Sequence, residues 1–368
     1  MTARASRILR GWLLAAIALA ATVAAGAQAA TLRIASAFDP QTMDPHALAL
    51  LYHTRVSVQI YEGLVNRDEQ FRLEPSLALS WRATSATSWE FKLRPGVVFH
   101  DGAPFTADDA VFSIERALAT TSQRSFQLKG VKGVRKLDAL TIEFQLEAPD
   151  AVLPEKLQQL AMMSKAWCIA HGVEKPQDFV GKQETYAVRN ANGTGPFVLE
   201  RFEPDVRTVL RRNPRWWGWA DRRSGNIDGA TLVAIRSDAT RLAALVSGEI
   251  DLVLDPPVQD VDGLRREAAI KLLQVADLGQ QYLVFDVARE ELPDSDVKGR
   301  NPFKDVRVRR AVYHAINVDL IARKVLRGLG TPTGALLSPR VDGSPPDLDV
   351  RLPYDPARAR ALLAEAGY

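Results

Sequence analysis

His100 and Asp101 are adjacent within WEFKLRPGVVFHDGAPFTADDAVFS, residues 89–113, and a histidine beside a carboxylate is the raw material of a general base. The chain offers such a base nothing to activate. It has no nucleophile elbow and no His-Glu-x-x-His helix, so the pair reads as a turn completed by Gly102. The histidines His46, His53, His100, His171 and His314 lack the clustered spacing of a metal site. His46 and His53 are seven apart and would share a helix face, but two ligands do not make a centre. Asn192-Gly193-Thr194-Gly195-Pro196-Phe197 has the glycines of a phosphate loop. No Gly-Lys-Ser/Thr follows, however, and residues 197–201 read as a strand rather than a helix. Trp216, Trp217 and Trp219 have the makings of a stacking platform, and Arg307, Arg309 and Arg310 of an anion site. Val308, Ala311, Val312, Ala315 and Ile316 make those arginines the polar face of an amphipathic helix. No catalytic activity, cofactor or metal is expected.

The elements that would position these residues are legible from periodicity. Trp89, Phe91 and Leu93 alternate with Glu90, Lys92 and Arg94, as in a half-buried strand, and Pro95-Gly96 breaks it. Thr106 is placed to cap a helix carrying Asp108 and Asp109 in its first turn and Ala110, Ile114 and Ala117 on one face. Residues 31–37 read as a first strand, 131–137 and 140–146 as a hairpin, 151–161 as a helix, and 205–211 as the return arm after 197–201. A helix spans 238–247, an apolar strand 280–287, and a last helix starts at Asp355-Pro356.

Length and composition bound the class. The 368 residues suffice for two or three domains, and 46% hydrophobic with 25% charged residues is ordinary for a globular protein. Arg4, Arg7 and Arg10 precede an apolar run from Trp12 to Ala25, and Ala27-Gln28-Ala29 fits a small-x-small cleavage rule. A signal peptide over residues 1–29 is therefore expected, in preference to an uncleaved anchor. Its three arginines account for the net charge of +3, leaving 44 basic against 44 acidic residues. Neither nucleic acid nor a membrane surface is an expected partner. Cys168 is the only cysteine and lies far from a mature N-terminus, so neither a disulfide nor a lipid anchor is expected.

The wording of residues 89–113 closely resembles that of the family 5 solute-binding proteins, which feed peptide, dipeptide and nickel ABC transporters. Ile60-Tyr61-Glu62-Gly63-Leu64, Leu73-Glu74-Pro75-Ser76-Leu77-Ala78, residues 192–197, Asn213-Pro214 with its tryptophans, and Gly248-Glu249-Ile250-Asp251 match further family phrases in order. Asp286 stands where the family usually has Asn. The tryptophan phrase recurs across ligand classes, which favours packing over stacking on a ligand. The resemblance implies an α/β, type II periplasmic-binding-protein fold of two lobes with an extra domain, the second lobe incomplete. Lobe I would comprise residues 30–48 and 186–276, the extra α/β domain 49–185, and the incomplete lobe II 277–368. Family members continue past the last helix, so a missing cleft wall and poor stability of the isolated chain are expected.

The implied function is capture of small peptides or similar solutes in the periplasm and delivery to an ABC permease in the inner membrane, by a monomer that closes on its ligand. The implied ligand contacts are Ser36, Ala37 and Phe38 after the first strand, Phe126, Met163 and Ser164 with neighbouring Met162, Thr194 and Gly195, and Gln280, Gln281 and Tyr282. The acidic residue that peptide binders use for the ligand's amino terminus would lie beyond Tyr368. The rival readings are a nickel or metal-chelate binder of the same fold, an extracytoplasmic hydrolase, and a chaperone-like docking protein.

Overall fold

The computed structural model describes residues 30–221, 225–275, 278–338, 341 and 344–368. The expected signal peptide lies outside the described residues. The chain divides into two compact units, one ending at Asp255 and one spanning Pro256–Tyr368.

In the first unit, strand β1 (Thr31–Ser36) leads through an irregular loop to helix α1 (Leu51–Ile60). A short ribbon, β2 (Val65–Arg67) and β3 (Leu73–Pro75), precedes β4 (Ala78–Ser85) and β5 (Ser88–Leu93). Helix α2 (Ala107–Ala117), β6 (Val131–Asp138), β7 (Thr141–Leu146) and helix α3 (Lys165–Ala170) follow. Then come β8 (Phe197–Glu203), β9 (Arg207–Arg212), β10 (Gly229–Ala234), helix α4 (Asp238–Val246) and β11 (Leu252–Val253). Two larger sheets result. One is antiparallel, in the order β4-β5-β7-β6. The other is mixed, in the order β11-β1-β10-β9-β8, with β1 parallel to both β10 and β11.

The antiparallel sheet works as the alternation in 89–94 predicts. Phe91 and Leu93 are buried, Trp89 is half-buried, and Phe91 meets Phe144 edge to face at 5.3 Å, worth about 1 kcal/mol beyond area burial. Helix α2 lays Ala107, Ala110, Ile114 and Ala117 on the same core. Its start is fixed by Asp109, whose Oδ2 accepts from the Thr106 N–H at 3.0 Å and from the Thr106 hydroxyl at 2.9 Å.

Three expectations fail locally. The helix expected over 151–161 is limited to Leu153–Lys156. Gln127 Nε2 donates to the carbonyls of Lys156 and Gln158 at 2.9 and 3.1 Å, and Gln159 takes a positive φ of 57°. The turn this makes buries Leu157, Leu160 and Met162 together, so tertiary packing overrides helical pattern. His46 and His53 share no helix face, because α1 begins only at Leu51. Residues 280–287 form no ladder, and the described residues of the second unit contain no strand for them to pair with.

That second unit is helical where it is regular. Helices α5 (Val306–Ala315) and α6 (Pro356–Glu365) pack Ala311 against Ala359 and Leu362. Asp305 and Asp355 cap them, accepting from Arg307 N and Arg358 N at 2.8 and 2.9 Å. Asp286 accepts from the N–H groups of Ala288 and Arg289 at 3.1 and 3.2 Å. An Asn could accept the same bonds, so the departure from the family wording keeps the turn.

Candidate functional site

Helix α1 links the two places where the singled-out residues gather. At its N-terminal end lie the carboxyl ends of β1, β10 and β11, the edge of a parallel sheet where open α/β folds place ligands. Ser36 and Phe38 line a small concavity there with Tyr52, Arg55, Val233 and Leu254. Phe38 is 62% exposed, and its ring stacks on Tyr52 at 5.3 Å and 24°. Gln41 Nε2 donates to the Tyr52 hydroxyl at 2.9 Å. Arg55 forms a bidentate pair with Asp255, one arm at 3.0 Å. Behind them, burial pushes the Asp39 carboxyl up, against the lowering effect of the Gln41 N–H at 2.9 Å. An exposed phenylalanine stacked on a half-buried tyrosine, flanked by a cation and carboxylates, suits a small solute with apolar and charged parts. The concavity holds no nucleophile with a base beside it.

At the other end of α1 the family phrases converge. Gly195 N–H donates to the Ile60 carbonyl at 2.9 Å. A Cβ at Gly193 would come within 2.0 Å of that carbonyl oxygen, and one at Gly195 within 2.7 Å, so only glycine lets the chains approach. Glu62 collects the Thr194 hydroxyl at 2.8 Å and the indole N–H groups of Trp216 and Trp217, each at 3.0 Å. Arg94 lies over the Trp217 ring at 3.8 Å. His100 donates its backbone N–H to the Gly193 carbonyl at 2.8 Å and faces the Gly195 carbonyl through Nε2 at 3.1 Å. Asp101 pairs with the Asn192 amide at 2.8 Å. His100-Asp101 is therefore a clamp on the glycine turn. Burial holds the His100 imidazole near 4, so it stays neutral at physiological pH. The indole N–H groups that a stacking platform would present are consumed here, including that of Trp219, which donates to the Asn213 carbonyl at 2.6 Å.

A second polar cluster is fully buried. Arg116 grips Asp44 with two bonds, 2.8 and 2.7 Å, and Gln177 N–H adds a third at 2.9 Å. Burial would raise the Asp44 carboxyl, but the Arg116 charge and hydrogen bonds outweigh it and hold it at about 2. Arg116 Nη1 also faces His46 Nδ1 at 3.2 Å, while His46 Nε2 meets the Ala161 carbonyl at 2.9 Å, which fixes a neutral imidazole with its proton on Nε2. Burial, then Arg116, pushes His46 down to about 3; burial, then Arg124, pushes His53 down to about 4. Cys168 is buried and its thiol is pushed up to about 12, which makes it unreactive.

Of the expected ligand contacts, Ser36 and Phe38 come together, with Ala37 between them on the same loop. Phe126 is 64% exposed in the 3-10 turn Ser125–Leu128. Met163 is buried and its N–H donates to Ser113 Oγ at 2.8 Å; Ser164 is buried and caps α3 through Trp167 N at 3.2 Å. Met162 is buried in the core of the antiparallel sheet. Thr194 and Gly195 belong to the Glu62 cluster, at the far end of a ten-residue helix about 15 Å long. Gln280, Gln281 and Tyr282 lie in the second unit, where Tyr282 is exposed. Sequence reasoning missed Tyr52, Arg55 and Asp255. Their only signal was position next to the first strand and to β11, which needs the sheet order to be read.

Comparison with known proteins gives the arrangement a family. The model of the middle region of the bacterial extracellular solute-binding proteins, family 5, matches residues 72–368. The chain is 30% identical to heme-binding protein A of Haemophilus influenzae, over 85% of its own length and 57% of that protein's. It is 30% identical to the dipeptide-binding protein of Escherichia coli, over 95% of its length and 65% of that protein's. The chain thus spans less than two thirds of the length of either relative. A solved structure of the periplasmic binding protein DppA from Helicobacter pylori, in complex with the peptide STSA, superimposes with a TM-score of 0.76 at 25% identity, covering 92% of this chain and 66% of that one. The fold is the type II periplasmic-binding-protein fold, and the chain belongs to the bacterial extracellular solute-binding proteins of family 5.

Proposed function

We propose that this chain is the solute-capturing component of an ABC importer, exported to the periplasm as a monomer, and that its solutes are peptides or similar small molecules. The observation that carries the reading is the exposed Phe38 ring, stacked on half-buried Tyr52 beside the Arg55–Asp255 pair at the carboxyl edge of β1, β10 and β11. Solvent-exposed aromatic surface next to both signs of charge is costly to leave bare and fits an amphipathic zwitterion. Ser36, Ala37, Phe38 and Phe126 are the proposed contacts in the first unit, where Met163, Ser164, Thr194 and Gly195, also implied as contacts, are buried; Gln280, Gln281 and Tyr282 are proposed contacts within the second unit. Residues 30–48 with 186–276 are proposed as one lobe, 49–185 as the added α/β domain, and 277–368 as part of the other lobe. Membership of a family of binding proteins supports a non-enzymatic solute binder.

The test is isothermal titration of the purified chain with a dipeptide mixture, followed by mass spectrometry of what stays bound. Phe38→Ala should weaken retention about tenfold, the loss of one buried aromatic contact. Retention of a stoichiometric metal or haem with no peptide, or turnover of the peptides, would overturn the reading.

A further inference from the structure

A cavity of about 170 Å³ lies against the last turn of α1, at the far end of that helix from Tyr52 and the Phe38 stack. A dry cavity of about 150 Å³ is enough to take benzene, and a single water needs roughly a tenth of that. The space therefore suits a molecule of about six non-hydrogen atoms.

Its lining is polar at fixed points. Ser76 is buried, and its hydroxyl has no hydrogen-bond partner among the described residues; its carbonyl accepts from Arg94 Nε at 3.0 Å. A buried hydroxyl in that state costs free energy until something in the cavity bonds it. Asn66 donates through Nδ2 to Glu74 Oε1 at 3.1 Å, which fixes the amide and leaves its Oδ1 to accept. Ser57 Oγ donates to the His53 carbonyl at 2.9 Å, so toward a ligand it acts as an acceptor. Val58, Pro196 and Trp216 add apolar lining for C–H groups.

The wall is braced. Gln159, another lining residue, holds a positive φ of 57° in the turn whose carbonyls Gln127 clamps. A Cβ at Gly63 would come within 3.1 Å of the Leu157 carbonyl oxygen and 3.2 Å of Gln159 N, so this turn presses directly on the chain that follows Glu62. Left-handed backbone at a non-glycine residue is strained, and such strain gathers at ligand clamps.

We propose that this cavity is a second small-molecule site, separate from the surface around Phe38, and that it takes a small neutral polyol, of which glycerol is the simplest. Charge selects the class. No lysine, arginine or histidine among the described residues lines the cavity, so an anion finds no counter-charge there. Its one acid, Glu62, already accepts from Thr194, Trp216 and Trp217, which leaves it poorly placed to capture an ammonium group. A hydroxyl both donates and accepts, as a lining that offers the Asn66 and Ser57 acceptors beside the Ser76 hydroxyl requires. The inference stands apart from the solute-binding reading, which concerns the other end of α1.

The experiment is titration of the whole, unmutated protein with glycerol, followed in its 1H–15N spectrum, with propane-1,3-diol as the comparison. Saturable shifts are expected at the amides of Gly63, Asn66 and Gln159 and at the Trp216 indole, with the amides of Ala37 and Phe38 unmoved. The diol, one hydroxyl short, should bind about three- to tenfold more weakly, and Ser76→Ala should weaken glycerol by a similar factor. Shifts that grow without saturating, as from a cosolvent, shifts centred on Ala37 and Phe38, or no shifts at all overturn the site. Undiminished glycerol binding by Ser76→Ala overturns it too. Should that variant not fold, the two ligands on the unmutated protein decide, and equal affinity for glycerol and the diol removes the polyol site. A dipeptide added in excess separates this claim from the broader one. Dipeptide shifts around Phe38 with the glycerol shifts intact support both. Displacement of glycerol by the dipeptide removes the second site alone, and glycerol binding with no dipeptide response removes the peptide reading alone.

Discussion

Glu62 shows how a residue's meaning depends on what reaches it. In the sequence it is one letter of a recurrent phrase; in the fold it accepts from Thr194, Trp216 and Trp217 and joins segments 154 and 155 residues apart. Glu62→Ala should cost about 3 kcal/mol in chemical denaturation, since three donors lose a charged acceptor. Glu62→Gln should cost clearly less because it keeps one oxygen. An Ala variant as stable as the unmutated protein would contradict the clamp. The buried histidines make a pH prediction. Unfolded, His46 and His53 take up protons near 6.5; folded, they stay neutral down to about 3 and 4. The unfolded state therefore binds more protons below 6.5, and stability falls as pH drops from 6.5 toward 4. Asp44 behaves likewise in a lower window: its contribution is complete above 3.8 and is lost as pH falls toward 2. Melting temperature measured against pH should decline from 6.5 downward and go on declining below 3.8 as Asp44 is protonated, and a flat profile between 6.5 and 4 would rule this out.

At the scale of elements, what was legible is what local chemistry dictates. The strand and capped helix within 89–113, the hairpin of β6 and β7, helix α4, and the Asp355 cap on α6 all follow from residue types a few positions apart. What was not legible depends on distant partners. The 151–161 pattern yields to Gln127, and 280–287, strand-like in composition, has no described neighbour to complete a ladder. Leu283 and Val284 are consequently 67% and 79% exposed. Hydrogen exchange should find the amides of 280–285 exchanging fast and those of β5 and β7 among the slowest; protection of 280–285 would mean that they pair with something. The glycine turn offers a sharper test. Gly193→Ala forces a Cβ to within 2.0 Å of the Ile60 carbonyl oxygen, so loss of about 3 kcal/mol or more is expected. Gly130→Ala meets no atom within 4 Å but keeps a φ of +88°, and should cost only about 1 kcal/mol. The candidate site divides in the same way. Ser36 and Phe38 entered the candidate site through the family resemblance, at the end of the first strand; Tyr52, Arg55 and Asp255 join them only through the order β11-β1-β10.

At the scale of the whole molecule, the recurrent phrases and the proposed binding surface occupy opposite ends of α1. The phrases brace the first unit, which explains how they can be shared by proteins with different ligands. The residues proposed to choose a ligand lie at the helix start: Phe38 through Tyr52 and Asp255 through Arg55. The central claim is that the chain holds a small solute without transforming it. Native mass spectrometry of the protein purified from the periplasm of its own host, repeated after denaturation, tests this most directly. The account predicts one small solute, a peptide first among them, bound per chain, released intact on denaturation and retained less by Phe38→Ala. A chain that carries no small molecule, or that returns a supplied peptide cleaved, would contradict it.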